Sequence, residues 1–528
     1  MRSTRNVWPR FGGVQLFCVI FVAIVILHAP LLHLPFFWDE AGFYVPAAYD
    51  LVHFHSLIPQ TTLDTGHPPL PAAYLAMWFA IAGWMPAVAR IAQLVLAALA
   101  LTNVFLLARN ISNWPVATAA TIATAIYPVW FAQSSLAHAD LAAAAFTLVG
   151  IRLAIEKPEI TKQRWRAQLA FCLAVLCKET AIITPLALAV FELGFFETTR
   201  RDADTFRERL ARALPYLTAI IPLSIWLVYH YHVTGRFFGN ADFYQYNVTQ
   251  AITPVRFLLA FMLRLWHLFG TMNMLALTGA MIAAMWFPPV TDEDGERQRI
   301  AIPIQLQFAL IMLAHVLAFS LLGGALLTRY LLPAYPLLII IAMSTLRRRI
   351  LNWQWPTAVL VIFFVLALFF DPPYRFAPED NLTYRDYVTL HQHAADFLQQ
   401  HERDATILTA WPATDELSKT YLGYVQAPLT TVPLRDFTLE EMLNAQSMKR
   451  KYQVVYLFST KYEAATWFQS ERWEALNRKF FDYHRDLSPD AAAQMLGGKV
   501  VYVAHVKAEW VEIIEMEQGA VAKAVSGR

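Results

Sequence analysis

Long apolar segments constrain the fold of this chain more than any other feature. Ten of them approach or exceed the length needed to cross a bilayer, whose hydrocarbon core of about 30 Å takes about 20 helical residues. They lie near 14–34, 88–108, 115–131, 140–155, 180–197, 212–231, 268–287, 305–323, 329–346 and 355–370. The 528 residues are 57% hydrophobic and only 16% charged, which excludes a soluble protein of this size. The sequence therefore predicts an all-α polytopic membrane protein.

Net charge and cysteine content narrow the function classes further. A formal net charge of +2 gives no electrostatic basis for binding nucleic acid. The three cysteines, Cys18, Cys172 and Cys177, all lie in apolar segments and imply no disulfide framework. The first apolar run is long for a signal-peptide core and lacks a small-residue cleavage site, so we interpret it as an uncleaved spanning helix.

Basic residues between the apolar segments predict the topology, because short loops rich in Lys and Arg remain in the cytoplasm. The first segment is preceded by Arg2, Arg5 and Arg10. Three later clusters lie between segments: Lys157, Lys162, Arg164 and Arg166; Arg200, Arg201, Arg207, Arg209 and Arg212; and Arg347, Arg348 and Arg349. All are cytoplasmic if 70–85 lies at the interface and 167–177 crosses, which gives about eleven spans. In the alternative topology, 70–85 spans and a weaker segment such as 167–177 does not.

The tail, residues 371–528, differs in composition and is predicted to form a small α/β domain outside the membrane. Apolar residues at helical spacing predict an amphipathic helix over Tyr384–His401. Buried strands are predicted at Ala405–Ala410, Tyr452–Ser459 and Lys499–Val506, with helices near Thr438–Ser447 and Lys461–Asn477. No glycine-rich phosphate loop follows these strands, so no nucleotide site is expected.

An acidic pair, Asp39-Glu40, follows the first apolar segment and opens the predicted outer loop 35–87. Two adjacent carboxylates among aromatic and apolar neighbours are costly at a membrane exit, which favours a functional interpretation. Such a carboxylate acts as a general base or binds a divalent cation. The alternative is an interfacial pair that only ends a helix.

Further charged residues are predicted to reach the same outer face from distant segments. They are His67, Arg90, Asp140, Lys178 and Arg329. Guanidinium groups suit phosphate oxygens, and a His near a phosphate can donate a hydrogen bond. Each residue also has a purely structural interpretation. Asp140 would cap the N-terminus of a helix, and His67 would only form part of a stiff turn. Each single cation would extend its side chain to the lipid headgroups. The sequence thus indicates one outward cavity where carboxylates and cations meet.

The order and spacing of these motifs resemble the GT-C membrane glycosyltransferases. The closest branch holds the protein O-mannosyltransferases and the bacterial aminoarabinose transferase of lipid A. The matching motifs, within about 10–350, are Asp39-Glu40, His67-Pro68-Pro69-Leu70, Ala89-Arg90, Asp140, Leu176-Cys177-Lys178-Glu179-Thr180 and Arg329-Tyr330-Leu331-Leu332-Pro333. Aminoarabinose transferases carry Lys-Pro-Pro where this chain has His67-Pro68-Pro69, so the lipid A substrate is not carried over.

The resemblance implies a GT-C-like catalytic domain over 1–370 and a periplasmic domain over 371–528. It implies inverting transfer of a sugar from a polyprenyl phosphate to an acceptor hydroxyl. Asp39 would be the base, and Glu40 would support it or a divalent cation. Asp140 would bind the acceptor, the sugar or a cation. The phosphate would be held by His67, Arg90, Lys178 and Arg329.

The sequence therefore predicts a polyprenyl-phosphate-sugar-dependent glycosyltransferase of the bacterial inner membrane. Its partners would be the lipid-linked sugar and a lipid, glycan or protein acceptor. A divalent cation is the one cofactor that the acidic residues suggest. Two alternatives come from other function classes: a transporter or flippase of lipid-linked sugars, and a non-catalytic partner in cell-envelope assembly. Transporters often show inverted repeats and charged, broken helices at mid-membrane. The absence of a sequence repeat here favours an enzyme.

Overall fold

The computed structural model describes residues 12–156, 161–194, 205–241, 253–293, 295–322, 324–462, 470–481 and 483–516, without the side chains of 161–163. Several basic residues used for the topology lie outside this description. They are Arg2, Arg5, Arg10, Lys157, Arg200 and Arg201, together with the side chain of Lys162.

Helices dominate the chain up to residue 369. They are α1 (Gly13–His28), α2 (Val45–Phe54), α3 (Leu70–Ala82), α4 (Pro86–Ile111), α5 (Trp114–Ile126), α6 (Pro128–Gln133), α7 (Ala139–Glu156), α8 (Thr161–Cys177), α9 (Ile183–Glu192), α10 (Phe206–Ala213), α11 (Ile220–Thr234), α12 (Pro254–Phe269), α13 (Met274–Ala284), α14 (Ile302–Leu321), α15 (Ala334–Arg349) and α16 (Gln354–Phe369). A short hairpin, β1 (Thr291–Asp292) and β2 (Gly295–Glu296), separates α13 from α14.

Among the residues that the structure describes, five helical stretches are long and apolar enough to cross a membrane: Gly13–Leu31, Pro86–Ile111, Phe206–Thr234, Pro254–Ala284 and Ile302–Leu321. The predicted membrane protein is thereby confirmed in outline, whereas the count of eleven spans stays a prediction. Helix α3 has 13 residues and is about 20 Å long at 1.5 Å per residue. That length is short of a bilayer core, in keeping with an interfacial position for 70–85.

The predicted apolar segment 268–287 begins at the end of α12, and within it the chain breaks between α12 and α13. Met272 and Asn273 have φ angles of 47° and 64°, in the left-handed region. The Met272 amide donates to the Tyr374 hydroxyl at 2.8 Å, and the Asn273 side-chain amide donates to the Phe363 carbonyl at 2.7 Å. The first bond satisfies a backbone amide that a continuous helix would have paired internally, and the second ties the break to α16.

The C-terminal part contains a five-stranded mixed sheet with helices around it. Its elements are α17 (Thr383–His401), β3 (Thr406–Ala410), α18 (Ala413–Ser418), β4 (Thr430–Leu434), α19 (Leu439–Ser447), β5 (Val454–Phe458), α20 (Glu471–Phe481), α21 (Pro489–Leu496), β6 (Gly498–Val506) and β7 (Glu509–Met516). The strand order is β4-β3-β5-β7-β6, with β3 parallel to β4 and β5 and with β7 antiparallel to β5 and β6.

The strands at β3 and β5 and the amphipathic helix α17 confirm their sequence predictions. Strand β6 forms where expected, but it is an edge strand with half-exposed residues, so the buried character predicted for it is wrong. Strands β4 and β7 were not predicted. Part of the helix expected over Lys461–Asn477 lies at 463–469, outside the description, and α20 begins at Glu471.

The described residues form two hydrophobic cores, and the second crosses the predicted boundary at residue 370. The first lies among the apolar helices, around side chains such as Trp130 and Tyr335. The second joins Phe36 and Phe37 of the outer loop to Tyr384 and the C-terminal sheet. The division into domains at 370 therefore stays a prediction, and the tail packs directly on the loop that carries Asp39.

Candidate active site

One arginine binds three carboxylates from three distant parts of the chain. Arg329, in the short 3₁₀ helix Thr328–Leu331, is 5% exposed at its side chain. Its Nη2 donates to Asp39, its Nη1 lies 2.6 Å from Glu379 Oε1, and its Nε lies 3.4 Å from Asp140 Oδ2. A planar guanidinium with five N–H donors suits this arrangement, which one ammonium group could not reproduce.

Lys178 extends this cluster from the end of α8. Its Nζ lies 2.6 Å from Asp140 Oδ1 and 4.4 Å from the centre of the Tyr330 ring. Asp140 stands in the first turn of α7, where the helix dipole favours a carboxylate. Four of the residues singled out in the sequence, Asp39, Asp140, Lys178 and Arg329, are thus in direct contact; their chemical roles stay predictions.

Glu379 and Asp380, in the 3₁₀ helix Pro378–Asp380, were missed in the sequence. Glu379 pairs with Arg329, and the Asp380 carboxylate accepts a hydrogen bond from the Thr328 hydroxyl. Burial raises the pKa of Glu379 to about 8, although Arg329 lowers it, and burial raises the pKa of Asp380 to about 7. A signal was present: this acidic pair follows the last apolar segment just as Asp39-Glu40 follows the first.

Glu379 is expected to make stability depend on pH. Because its folded pKa of about 8 exceeds the ordinary value of 4.5, its contribution is complete below about pH 4.5 and is lost as the pH rises towards 8. Glu379→Gln keeps an acceptor oxygen for Arg329 but cannot ionise. Its free energy of unfolding in detergent should therefore fall less than that of the wild type between pH 5 and 8, by a difference on the order of a few kcal/mol.

The matched control is Glu440→Gln on the exposed face of α19, which should retain the wild-type slope. Equal slopes for the wild type and Glu379→Gln would show that Glu379 is already ionised at low pH.

Glu40 and Arg90 form a second, separate pair beneath the Asp39 loop. Both side chains are fully buried and bonded to each other. Arg90 also donates to the carbonyls of Ser135 and Pro35, each at 2.9 Å. Glu40 accepts the Phe37 amide at 2.8 Å, so the pair ties the loop to α4 and to the segment before α7. The structure does not bring Arg90 into the Arg329 cluster.

His67 lies beside the cluster and contacts it through a neighbouring residue. Its Nδ1 is 2.9 Å from Glu179 Oε2, and its ring stacks on Tyr44 at 6.5 Å between centres. Burial opposes ionisation of Glu179, but His67 lowers the pKa of that carboxyl to about 2. Since Glu179 follows Lys178 directly, this pair connects the start of α3 to the cation of the cluster.

The donor set does not suit a metal ion shared by Asp39 and Glu40. Asp39 binds Arg329 and Glu40 binds Arg90, so both would have to leave these cations. Within the described ranges, no group of three or more His, Cys, Asp or Glu side chains is arranged to hold a metal. A divalent cation stays a prediction, and no step below depends on one.

Arg264 is a buried arginine that has no carboxylate partner among the residues described. It lies in α12 and donates to the carbonyls of Leu327 at 2.6 Å and Phe319 at 3.3 Å. Its Cζ is 5.4 Å from the centre of the Tyr330 ring, so Lys178 and Arg264 share that aromatic neighbour. In the sequence, an arginine within an apolar helix indicates a buried charge, and Arg264 is missing from the predicted site residues.

Comparisons with known proteins point to one fold. Residues 66–229 match the family model of dolichyl-phosphate-mannose-protein mannosyltransferases. The structure superposes on ArnT from Cupriavidus metallidurans in the apo state with a TM-score of 0.57 and 15% identity, over 95% of this chain and 98% of that one. The same protein bound to undecaprenyl phosphate gives 0.56 and 15%, over 96% and 98%. No curated protein matches the chain.

The resemblance to the GT-C membrane glycosyltransferases is thereby confirmed. The family match includes His67, Arg90, Asp140 and Lys178. The matched range does not include Asp39, Arg329 or Glu379. The fold brings these three residues into the cluster that contains Asp140 and Lys178.

Proposed function

We propose that this GT-C-fold membrane protein transfers a sugar from a polyprenyl phosphate to an acceptor hydroxyl, with inversion at the anomeric carbon. The observation that carries the proposal is the cluster around Arg329, which gathers Asp39, Asp140, Glu379 and Lys178. The family match and the shared fold support the same class of reaction.

Asp39 is the base in this proposal because it is the carboxylate of the cluster that an acceptor can reach. Its side chain is 17% exposed, whereas those of Asp140 and Glu379 are 4% and 6% exposed. Asp39 takes the proton of the acceptor hydroxyl, whose oxygen forms the new bond to the anomeric carbon. The bond to the phosphate oxygen breaks, and polyprenyl phosphate leaves with the electron pair.

Cations stabilise the charge that develops on the leaving phosphate. Lys178 and Arg329 border the cluster, and Arg264 adds a guanidinium without a carboxylate partner in the described part of the chain. His67 stands next to them through Glu179. Arg90 would have to abandon Glu40 to reach a phosphate, so we assign it to holding the loop instead.

The proposed site faces away from the cytoplasm. Arg329 comes before α15, whereas Arg347, Arg348 and Arg349 end that helix about 24 Å away along its axis. Hairpin β1–β2 lies on the arginine-rich end, where Arg348 Nη2 is 3.1 Å from Glu296. Because the arginine-rich end belongs in the cytoplasm, the cluster and the C-terminal sheet belong on the outer face of what we take to be a bacterial inner membrane.

The proposal is tested with purified protein in proteoliposomes that contain radiolabelled polyprenyl-phosphate sugars and an envelope extract as the acceptor source. We expect label to leave the lipid fraction and enter an acceptor while free polyprenyl phosphate accumulates. Label that crosses the bilayer but stays on the lipid would instead identify a flippase. Lipid-linked sugars that are neither cleaved nor moved would overturn both functions.

A further inference from the structure

The loop that presents Asp39 has an unfavourable backbone conformation. Trp38, directly before Asp39, has a φ angle of 42°, in the left-handed region that bulky residues rarely adopt. Such a conformation costs on the order of 1–3 kcal/mol and persists only where surrounding contacts enforce it.

Aromatic side chains of the C-terminal part surround Trp38. Its ring centre is 5.5 Å from that of Tyr387 in α17 and 5.5 Å from that of Trp411, which follows β3. The interplanar angles of 62° and 83° are edge-to-face arrangements, each of which adds about 0.5–1.5 kcal/mol beyond area burial. The preceding Phe37 packs edge-on against the same Tyr387 at 5.3 Å.

The backbone on both sides of Asp39 is held by the same part of the chain. The Phe36 amide donates to the Leu422 carbonyl at 3.3 Å, and the Phe36 carbonyl accepts the Tyr424 hydroxyl at 3.0 Å. Beyond Asp39, Gly42 lies under Trp411, and a Cβ at Gly42 would be 2.3 Å from the Trp411 ring. Only glycine allows this approach.

We propose that Trp411 and Tyr387 are positioning residues, through which the C-terminal sheet fixes the loop 36–42 and thereby the direction of the Asp39 carboxylate. This inference rests on the proposed function only in taking Asp39 as the base. It gives the C-terminal part a role in catalysis: it acts as a clamp on the loop.

The kinetic test compares Trp411→Ala, Trp411→Phe and the control Trp473→Ala, which removes an exposed tryptophan of α20. Since a displacement of about 1 Å at a reacting group costs on the order of 100-fold in rate, Trp411→Ala should lower kcat by about 10- to 100-fold. KM should change by less than about 2-fold, because no substrate contact is lost. Trp411→Phe should recover most of kcat, and Trp473→Ala should match the wild type. If Trp411→Ala lowers stability as well as kcat, and Trp411→Phe restores neither, Trp411 serves only in core packing and the proposal is overturned.

A double-mutant cycle with Gly42→Ala tests the contact itself. Gly42→Ala alone should lower kcat about as much as Trp411→Ala, and the double variant should lose no more than either single variant. Additive losses would show that the two positions act independently, against the proposal.

A third measurement needs no enzymatic activity. With Cys18, Cys172 and Cys177 replaced by serine, Asp39→Cys reports the loop through its rate of reaction with a thiol reagent. Adding Trp411→Ala should change that rate at least about 5-fold, whereas adding Trp473→Ala should not. Unchanged rates would overturn the clamp even if transfer is confirmed. A changed rate, together with a wild-type protein that transfers no sugar, would leave the clamp standing and remove the proposed function.

Discussion

Asp39→Asn is expected to lower kcat for sugar transfer by about 100- to 10,000-fold, the range that a positioned general base contributes. Asparagine keeps the size of the side chain and an oxygen for Arg329, but it cannot accept the acceptor proton. Because Arg329 still binds Asp140 and Glu379, the rest of the cluster should stay in place. The measurement is single-turnover release of polyprenyl phosphate from a radiolabelled lipid-linked sugar.

The control for Asp39→Asn is Asp396→Asn on the exposed face of α17, which should transfer sugar at the wild-type rate. Both variants should melt within a few degrees of the wild type, which would show that the loss of activity does not come from unfolding. Turnover by Asp39→Asn within about 3-fold of the wild type would remove Asp39 as the base.

The sequence predicted that charged residues would gather because ions in apolar surroundings require partners. On this basis Asp39, Asp140, Lys178 and Arg329 are predicted to meet although they lie up to 290 residues apart. Which charges pair with one another does not follow from the sequence. Asp39 and Glu40 are adjacent, yet one binds Arg329 and the other Arg90, because the chain turns into a π-helical segment at Glu40 and sends the two side chains to different helices.

Features that depend on packing between distant segments were beyond the sequence argument. Strand β4 contains Pro433 and lies at a sheet edge, where proline is tolerated but weakens a strand signal. The break at Met272 and Asn273 depends on bonds to Tyr374 and Phe363, about 90–100 residues away. No local pattern predicts that Trp38 adopts a left-handed backbone, since Trp411 and Tyr387 hold it there.

Arg329→Gln is expected to destabilise the protein by about 3–5 kcal/mol, the cost of removing one partner from a buried ion pair. Three carboxylates depend on this guanidinium, and Lys178 can compensate only at Asp140. Asp39 would then lose the guanidinium that holds its carboxylate in place, so kcat should fall as well. Arg329→Lys keeps the charge but not the fork of donors, and it should lie between Arg329→Gln and the wild type.

Thermal unfolding in detergent measures the stability loss in Arg329→Gln, with the half-exposed Arg385→Gln as the control. Above pH 8, where Glu379 is ionised, adding Glu379→Gln to Arg329→Gln removes one of the stranded carboxylates, and we expect it to restore part of the lost stability. Independent sites would give additive changes, so a rescue identifies Arg329 and Glu379 as coupled. A loss below about 1 kcal/mol in Arg329→Gln, without rescue, would show that the carboxyl groups of the cluster do not depend on Arg329, against the arrangement that the proposed function requires.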